Sequence, residues 1–363
     1  MSRQSPCGFP DCSESECHAG HTEGRRVTQP DHAARVLVTH PRSRLDSYFG
    51  AQALRRLRQV AEVRLNERDQ DLEGQGLIDA AQDCAVIIAY RQTSVDAQVL
   101  AALPALRAVV RCAVDIRTID VAAASAQGVL VTRASPGFMA SVSEWVLGVM
   151  IDLSRGIALA NSQYHSGASA RPRMGRELRA ARLGVVGYGQ IGQYLCRVAQ
   201  ALGMQVLVTD PHATGVAAGI TQVALPVLLA QSDFVVCLAP ATPDTENMFD
   251  AKAFCAMQPG AFFINAARGN LVDEAALVQA LDSGHLGGAA LDVGRAADQM
   301  PSPALASHPG VIATPHIGGL TPPAIEHQAL ETVAQTGEIL RGRIPVGSVN
   351  ADRATRMGAG RRT

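Results

Sequence analysis

The sequence lacks the features that would send a chain into a membrane or onto a polyanion. No apolar run approaches the roughly 18 residues that a spanning helix needs, and the N-terminus does not pair a basic stretch with an apolar one as a secretory signal does. The expected setting is therefore cytoplasmic, with no membrane partner. Charge of either sign is not in excess: 32 Lys and Arg stand against 33 Asp and Glu, a formal net charge of −1. That balance supplies no electrostatic case for nucleic acid as a partner. Internal repeats and heptads are absent too. Cysteine is present, but Cys84, Cys112, Cys196, Cys237 and Cys255 are scattered in or beside apolar segments, which reads as reduced core thiols acting as small hydrophobes.

What is present is a chain of 363 residues, 47% hydrophobic and 18% charged, long enough for about two domains with sizeable cores and no need of staples. Residues 1–32 differ from the rest in being rich in Ser, Gly, Arg and His, and they read as a disordered or wrongly started tail. Cys7, Cys12, Cys17, His18 and His21 lie in it, but their spacing does not match the paired knuckles of a zinc site, so no metal is expected.

From Arg35 onward apolar strand-like runs alternate with helical patterns, which argues for α/β architecture with parallel sheets. Strands are expected at Arg35 to Thr39, Val63 to Leu65, Cys84 to Ala89, Ala108 to Arg111 and Gly128 to Thr132. A second set is expected near Gln205 to Thr209, Phe234 to Leu238, Ala261 to Asn265, Gly288 to Asp292 and Val311 to Thr314. Long helices are expected from Ser141 to about Arg155 and from Pro323 to about Leu340.

The chain is organised around Leu183 to Gly192, where an apolar run breaks into Gly187-Tyr188-Gly189-Gln190-Ile191-Gly192. This Gly-x-Gly-x-x-Gly reads as a strand turning into a helix. Gly187 permits the turn, Gly189 lets the backbone approach a pyrophosphate, and Gly192 lets helix and strand pack. The next apolar run ends at Asp210, the distance at which the motif places a ribose-binding carboxylate. Two further strand ends carry chemistry. Arg268 follows Phe263-Ile264-Asn265-Ala266-Ala267, where a guanidinium could grip a carboxylate with two prongs or merely cap a surface loop. His316, in Thr314-Pro315-His316-Ile317-Gly318-Gly319, could exchange a proton near neutral pH or serve as a satisfied structural residue.

Taken in order, the glycine turn, Asn265 to Glu274, Ala290-Leu291-Asp292-Val293 and Thr314 to Gly319 resemble the D-isomer-specific 2-hydroxyacid dehydrogenases. The resemblance covers roughly Val36 to Asn350. It implies two Rossmann-like domains, with a cofactor domain (141–315) inserted in a discontinuous flavodoxin-like substrate domain (33–140 and 316–348); the last residues, 349–363, turn basic and Gly-rich and read as a flexible tail. It implies NAD as cofactor, held by Gly187, Tyr188, Gly189, Gln190, Ile191, Gly192 and Asp210, with Pro240, Thr245, Ala266, Arg268, Asp292, His316 and Gly318 also at the cofactor. The Cys237 to Thr245 segment would line the adenine side, and Asp292 would accept from the nicotinamide carboxamide. Asp210 would repel a 2′-phosphate, favouring NAD over NADP. The implied reaction passes a hydride between the nicotinamide and a D-2-hydroxy acid or 2-oxo acid of the phosphoglycerate, hydroxypyruvate or glyoxylate kind. Arg268 would clamp the substrate and His316 would act as acid and base. A homodimer is implied. The same fold also serves NAD-sensing transcriptional co-repressors, a second reading that retention of Arg268 and His316 disfavours.

The sequence also departs from that pattern. Cys112-Ala113-Val114-Asp115-Ile116-Arg117-Thr118-Ile119-Asp120 replaces a Gly-rich, Asn-containing loop, and Arg91 and Arg117 are candidate substrate-binding residues or solvated loop arginines. After Asp292 the simplest register places Ala297 where relatives have a Glu that pairs with the catalytic His. Asp298 is the neighbouring carboxylate expected to reach His316 by a one-residue shift eased by Gly294, with an unpaired His or a partner such as Glu326 as alternatives. The chain ends soon after Asn350, so no appended serine-type regulatory domain is expected.

Overall fold

In the computed structural model, residues 34–360 are described. The expected tail at 1–32, with its Cys and His residues, lies outside the described residues. The chain forms two parallel sheets. The first contains β1 (Arg35–Val38), β2 (Glu62–Leu65), β3 (Cys84–Ala89), β4 (Ala108–Arg111) and β5 (Leu130–Arg133), in the order β2-β1-β3-β4-β5. The second contains β6 (Arg182–Val186), β7 (Gln205–Thr209), β8 (Ile220–Gln222), β9 (Phe234–Cys237), β10 (Phe262–Asn265), β11 (Gly288–Leu291) and β12 (Val311–Ala313). Its order is β12-β11-β10-β9-β6-β7-β8.

The strands are short runs of Val, Ile, Leu and Phe because both faces of each sheet are covered by helices. In β1, Leu37 enters one core and Val36 and Val38 the other. In β9, Phe234 and Val236 pack on one side and Val235 and Cys237 on the opposite side. Helix starts are written into the sequence as short acids: Asp96, Asp120, Asp250 and Asp273 each accept a backbone N–H of the first turn they precede. The helix Met139–Arg155 leaves the first sheet for the second and stops at Gly156, which adopts φ of 67°. Pro322–Leu340, begun by prolines at its first turn, brings the chain back, burying Ala329, Val333 and Ile339 against the first sheet.

The strand order reverses between β1 and β3 and again between β6 and β9. In open α/β sheets such switch points open a crevice at the carboxyl ends of the strands. Here the residues following β1, β3, β4, β6, β9, β10 and β11 all reach one cleft.

The flexible tail expected from residue 349 is corrected by the packing. Val349 N–H donates to the Val131 carbonyl, and the buried Asn350 side chain accepts from Val131 N–H and donates to the Val129 carbonyl. Arg356 caps the Leu103 and Leu106 carbonyls, and Met357 is buried in the first sheet's core. Orphan groups at the edge strand β5 are thereby satisfied, which is why polar, basic sequence here is ordered.

Candidate active site

The cleft has a volume of about 840 Å³ and takes its walls from both sheets. Its second-sheet wall is built around the glycine turn after β6. Gly187 has φ of 103°, and a Cβ there would lie 2.7 Å from the Leu238 backbone. A Cβ on Gly192 would lie 2.3 Å from the Gly187 carbonyl oxygen, so the first turn of the helix Gln190–Ala201 can approach the strand only with glycine at that position. Gly189 differs: a Cβ there would meet nothing within 4 Å, so its bare backbone borders open space at the helix N-terminus. Among the described residues no side chain caps this terminus. Free N–H groups facing a hollow with no Cβ in it are what a dinucleotide pyrophosphate requires. Asp210, at the end of β7, accepts from Tyr188 N–H and His212 N–H at 2.8 Å each, which fixes its carboxylate beside the turn. These residues fit a bound dinucleotide.

The rest of the expected cofactor wall divides. Ile191, Pro240 and Ala266 line the cleft. Thr245 Oγ1 donates to the Pro240 carbonyl at 2.8 Å and so shapes the loop behind it. Cys237 does not belong to the lining: it is fully buried in the core, where burial pushes its thiol up to about 12. Asp292, 3% exposed, accepts from Thr314 Oγ1 at 2.6 Å, Ile317 N–H at 2.8 Å and Gly318 N–H at 2.7 Å. Its carboxylate therefore holds the loop that carries His316. A Cβ on Gly318 would lie 2.7 Å from Asp292 Oδ2, so glycine is required there.

Arg268 is placed by Asn265, the buried last residue of β10. The Asn265 side chain accepts from Ala267 N–H at 3.0 Å and donates to the Arg268 carbonyl at 2.9 Å, stapling the loop between them. Arg268 Nη1 donates to the Ala267 carbonyl at 2.7 Å, and Nη2 lies 3.8 Å from Asp115 Oδ2. Burial lowers its pKa, partly offset by Asp115. Asp115 was not singled out from the sequence. It also takes Arg117 Nη2 at 2.8 Å, and the Arg117 N–H donates to its Oδ1. Burial pushes the Asp115 carboxyl up, but the Arg117 hydrogen bonds and charge, with Arg268, outweigh it and hold it below its ordinary range. The signal was Asp two residues before Arg in the departing loop, the spacing of a side-chain-closed turn.

His316 has φ of 54°, an uncommon backbone state for a residue with a Cβ. Its Nδ1 lies 2.9 Å from the backbone carbonyl of Asp298. A carbonyl can only accept, so with the proton on Nδ1 this contact is a hydrogen bond that leaves Nε2 for the cleft. Desolvation lowers the His316 pKa; the Asp298 carbonyl opposes that, and the nearby Arg91 charge adds to it.

This arrangement corrects the expected pairing of the Asp298 carboxylate with His316. Asp298 and Gln299 both adopt left-handed backbone, with φ of 54° and 55°. The two successive turns aim the Asp298 carbonyl at the imidazole and send its carboxylate to Arg91, with which it forms a close ion pair. Arg91 Nη2 in turn sits 3.2 Å from His316 Nδ1. The loop reaches this position because Gly269 and Gly294 touch: a Cβ on Gly269 would lie 2.1 Å from the Gly294 backbone. Arg91, Arg117, Arg268, Asp298 and His316 thus share one cleft, whereas Glu326 borders a separate groove beside Pro322.

Residues 147–318 match the family described as D-isomer specific 2-hydroxyacid dehydrogenase, NAD binding domain. The chain is 38% identical over 250 residues to an (S)-sulfolactate dehydrogenase of Chromohalobacter salexigens, covering 68% of this chain and 81% of that protein. It is 34% identical over 298 residues to a D-3-phosphoglycerate dehydrogenase of Synechocystis sp., covering 81% of this chain but 53% of that protein's length, so it spans about half of such relatives. Among solved structures, the TT0316 protein of Thermus thermophilus superposes with a TM-score of 0.79 at 30% identity, covering 87% of this chain and 99% of that one.

Proposed function

The chain belongs to the D-isomer specific 2-hydroxyacid dehydrogenases, and from that premise we propose that it is an NAD-dependent oxidoreductase interconverting a D-2-hydroxy acid and its 2-oxo acid. One observation carries the proposal: the Arg268 guanidinium and the His316 imidazole, brought from the ends of β10 and β12, line the same cleft as Ile191, beside the glycine turn.

Bound NADH would supply the hydride. Gly187, Gly189 and Gly192 admit its pyrophosphate to the Gln190–Ala201 helix terminus, and Asp210 takes the adenosine ribose and disfavours a 2′-phosphate. Asp292, besides fixing the His316 loop, would accept from the nicotinamide carboxamide. Arg268 holds the substrate carboxylate and polarises the C2 carbonyl oxygen. As the C2 oxygen gains charge, His316 gives it the proton from Nε2, while the Asp298 carbonyl holds Nδ1–H. In the reverse direction the same nitrogen takes the hydroxyl proton. Arg91 and Arg117 border the substrate and complete the positive side of the site.

The expected homodimer is supported by exposed apolar residues on adjoining helices, Ile151 at 42%, Ile157 and Leu159 at 55% each and Tyr164 at 65%. Among the described residues no helix is long and apolar enough to cross a membrane. The direct test is a panel of 2-oxo acids with NADH followed at the nicotinamide absorbance. Oxidation of NADH by at least one acid to the D-2-hydroxy product is expected. NADH binding without turnover on any acid would overturn the proposal.

A further inference from the structure

The charges of the cleft are nearly matched before any substrate enters. Three arginines and three aspartates line it. Arg91 pairs with Asp298, Arg117 and Arg268 share Asp115, and Asp292 is engaged by the His316 loop. With His316 protonated for the reduction, three arginines and one imidazolium face three aspartates, so one positive charge is left over, which a single carboxylate neutralises. A phosphate or sulfonate on the same molecule would find no further cation among the described residues lining the cleft. A charge taken out of water without a partner is strongly disfavoured.

The first-sheet end of the same cleft carries a different chemistry. His40 follows β1, Tyr90 follows β3, Tyr48 lies on the chain between them, and Gln328 projects from the Pro322–Leu340 helix; all four line the cleft. His40 is 1% exposed, and among the described residues neither ring nitrogen makes a hydrogen bond of good geometry, although the Tyr48 carbonyl lies near the ring. Gln328 is 8% exposed and its amide makes no hydrogen bond among the described residues, nor does either tyrosine donate its hydroxyl. Burial depresses His40 to about 3, with the Tyr48 carbonyl opposing and Arg111 adding to the effect, and raises the Tyr90 phenol to about 12. His40 and Tyr90 are therefore neutral at physiological pH. Buried polar groups in native proteins are normally paired, so a set left open on a cleft wall marks a place where a ligand or its water completes them.

Resting on the dehydrogenase reading above, we propose that the substrate is a monoanionic 2-oxo or 2-hydroxy acid whose remaining chain is uncharged and hydroxylated, its hydroxyl groups bound by His40, Gln328, Tyr48 and Tyr90. Acids carrying a phosphate or sulfonate, as in the names of the relatives, are excluded by charge. The reaction balances as 2-oxo acid, NADH and a proton giving 2-hydroxy acid and NAD; the distal hydroxyls take no part in it.

The test compares acids matched in length: pyruvate with hydroxypyruvate, and 2-oxobutanoate with 2-oxo-4-hydroxybutanoate, each with NADH, beside 3-phosphohydroxypyruvate and sulfopyruvate. In at least one pair the hydroxyl is expected to raise kcat/KM about tenfold or more, chiefly through KM, because a site with open hydrogen-bonding groups discriminates against the analogue that leaves them unpaired. Both doubly charged acids are expected to fall below pyruvate. In His40→Phe the hydroxyl advantage should shrink severalfold; should that variant fail to fold, Tyr90→Phe or Gln328→Leu serves the same comparison. A phosphate- or sulfonate-bearing acid used best, or no hydroxyl advantage in either pair, would overturn the inference while leaving the dehydrogenase reading intact. NADH binding without turnover on any acid would overturn both.

Discussion

On the second-sheet side of the cleft, backbone crowding decides which residue stands at the glycine turn: 2.7 Å to the Leu238 backbone at Gly187 and 2.3 Å to a carbonyl oxygen at Gly192 leave no room for a side chain. On the first-sheet side, side chains decide, and the loop from Cys112 to Asp120 fills with Asp115, Arg117 and Thr118 what a glycine-rich loop would leave to backbone N–H groups. The difference teaches where such a protein can diverge. A turn made of crowded main chain tolerates little change, whereas a cleft wall made of ion pairs can be rewritten by exchanging side chains.

The largest effect that would sharpen this contrast is expected at Arg268, which lies on the second sheet but acts toward the first. Arg268→Lys keeps the charge and loses the two-pronged geometry, so kcat/KM for 2-oxo acid reduction should fall by about a factor of a thousand while NADH affinity changes little. Near-normal turnover would instead assign the carboxylate to Arg91 or Arg117. Next in size is Asp210→Ala, which removes the proposed ribose acceptor and its repulsion of a 2′-phosphate. The ratio of kcat/KM for NADH over NADPH should drop by about tenfold or more. An unmodified protein that uses both cofactors equally would break the account of that wall.

A smaller effect is expected from Arg91→Gln. The substitution withdraws a cation from beside the imidazole and releases the Asp298 carboxylate, and both changes favour protonated His316. Because reduction uses the protonated form, the upper limb of its pH profile should move to higher pH, by about one unit or less. No movement would mean that the Arg91 charge is screened from the ring.

Much of this was legible in the residues. The strand runs, the two long helices, the glycine turn, Arg268 and His316 are all written locally, in apolar period and in small or charged residues at strand ends. The Asp298 error has a local cause: sequence gives the position of a carboxylate, but two consecutive left-handed residues reverse which face of the chain meets His316. The docked C-terminal segment was misread because its stability comes from Asn350 and Arg356 satisfying carbonyls and N–H groups of distant strands, and its composition alone looks solvated. His40 and Gln328 are far apart in the chain and line one cleft only because the Pro322–Leu340 helix packs back on the first sheet. A His immediately after the first strand of a parallel sheet was nonetheless a signal, since ligands gather at such strand ends.

The central claim is that one cleft joins Arg268, His316 and a bound nicotinamide for paired hydride and proton transfer. Its most direct test is the pH profile of kcat/KM for 2-oxo acid reduction by NADH in the wild type and in His316→Gln. The His316 pKa is lowered in the folded protein, so the active acid form is lost as pH rises. The account predicts a wild-type rate that declines above a pH lying below the ordinary histidine value of about 6.5. In His316→Gln it predicts a rate lower by about a hundredfold or more with that limb absent. A wild-type profile flat across this range, or a variant that keeps both rate and limb, would contradict it.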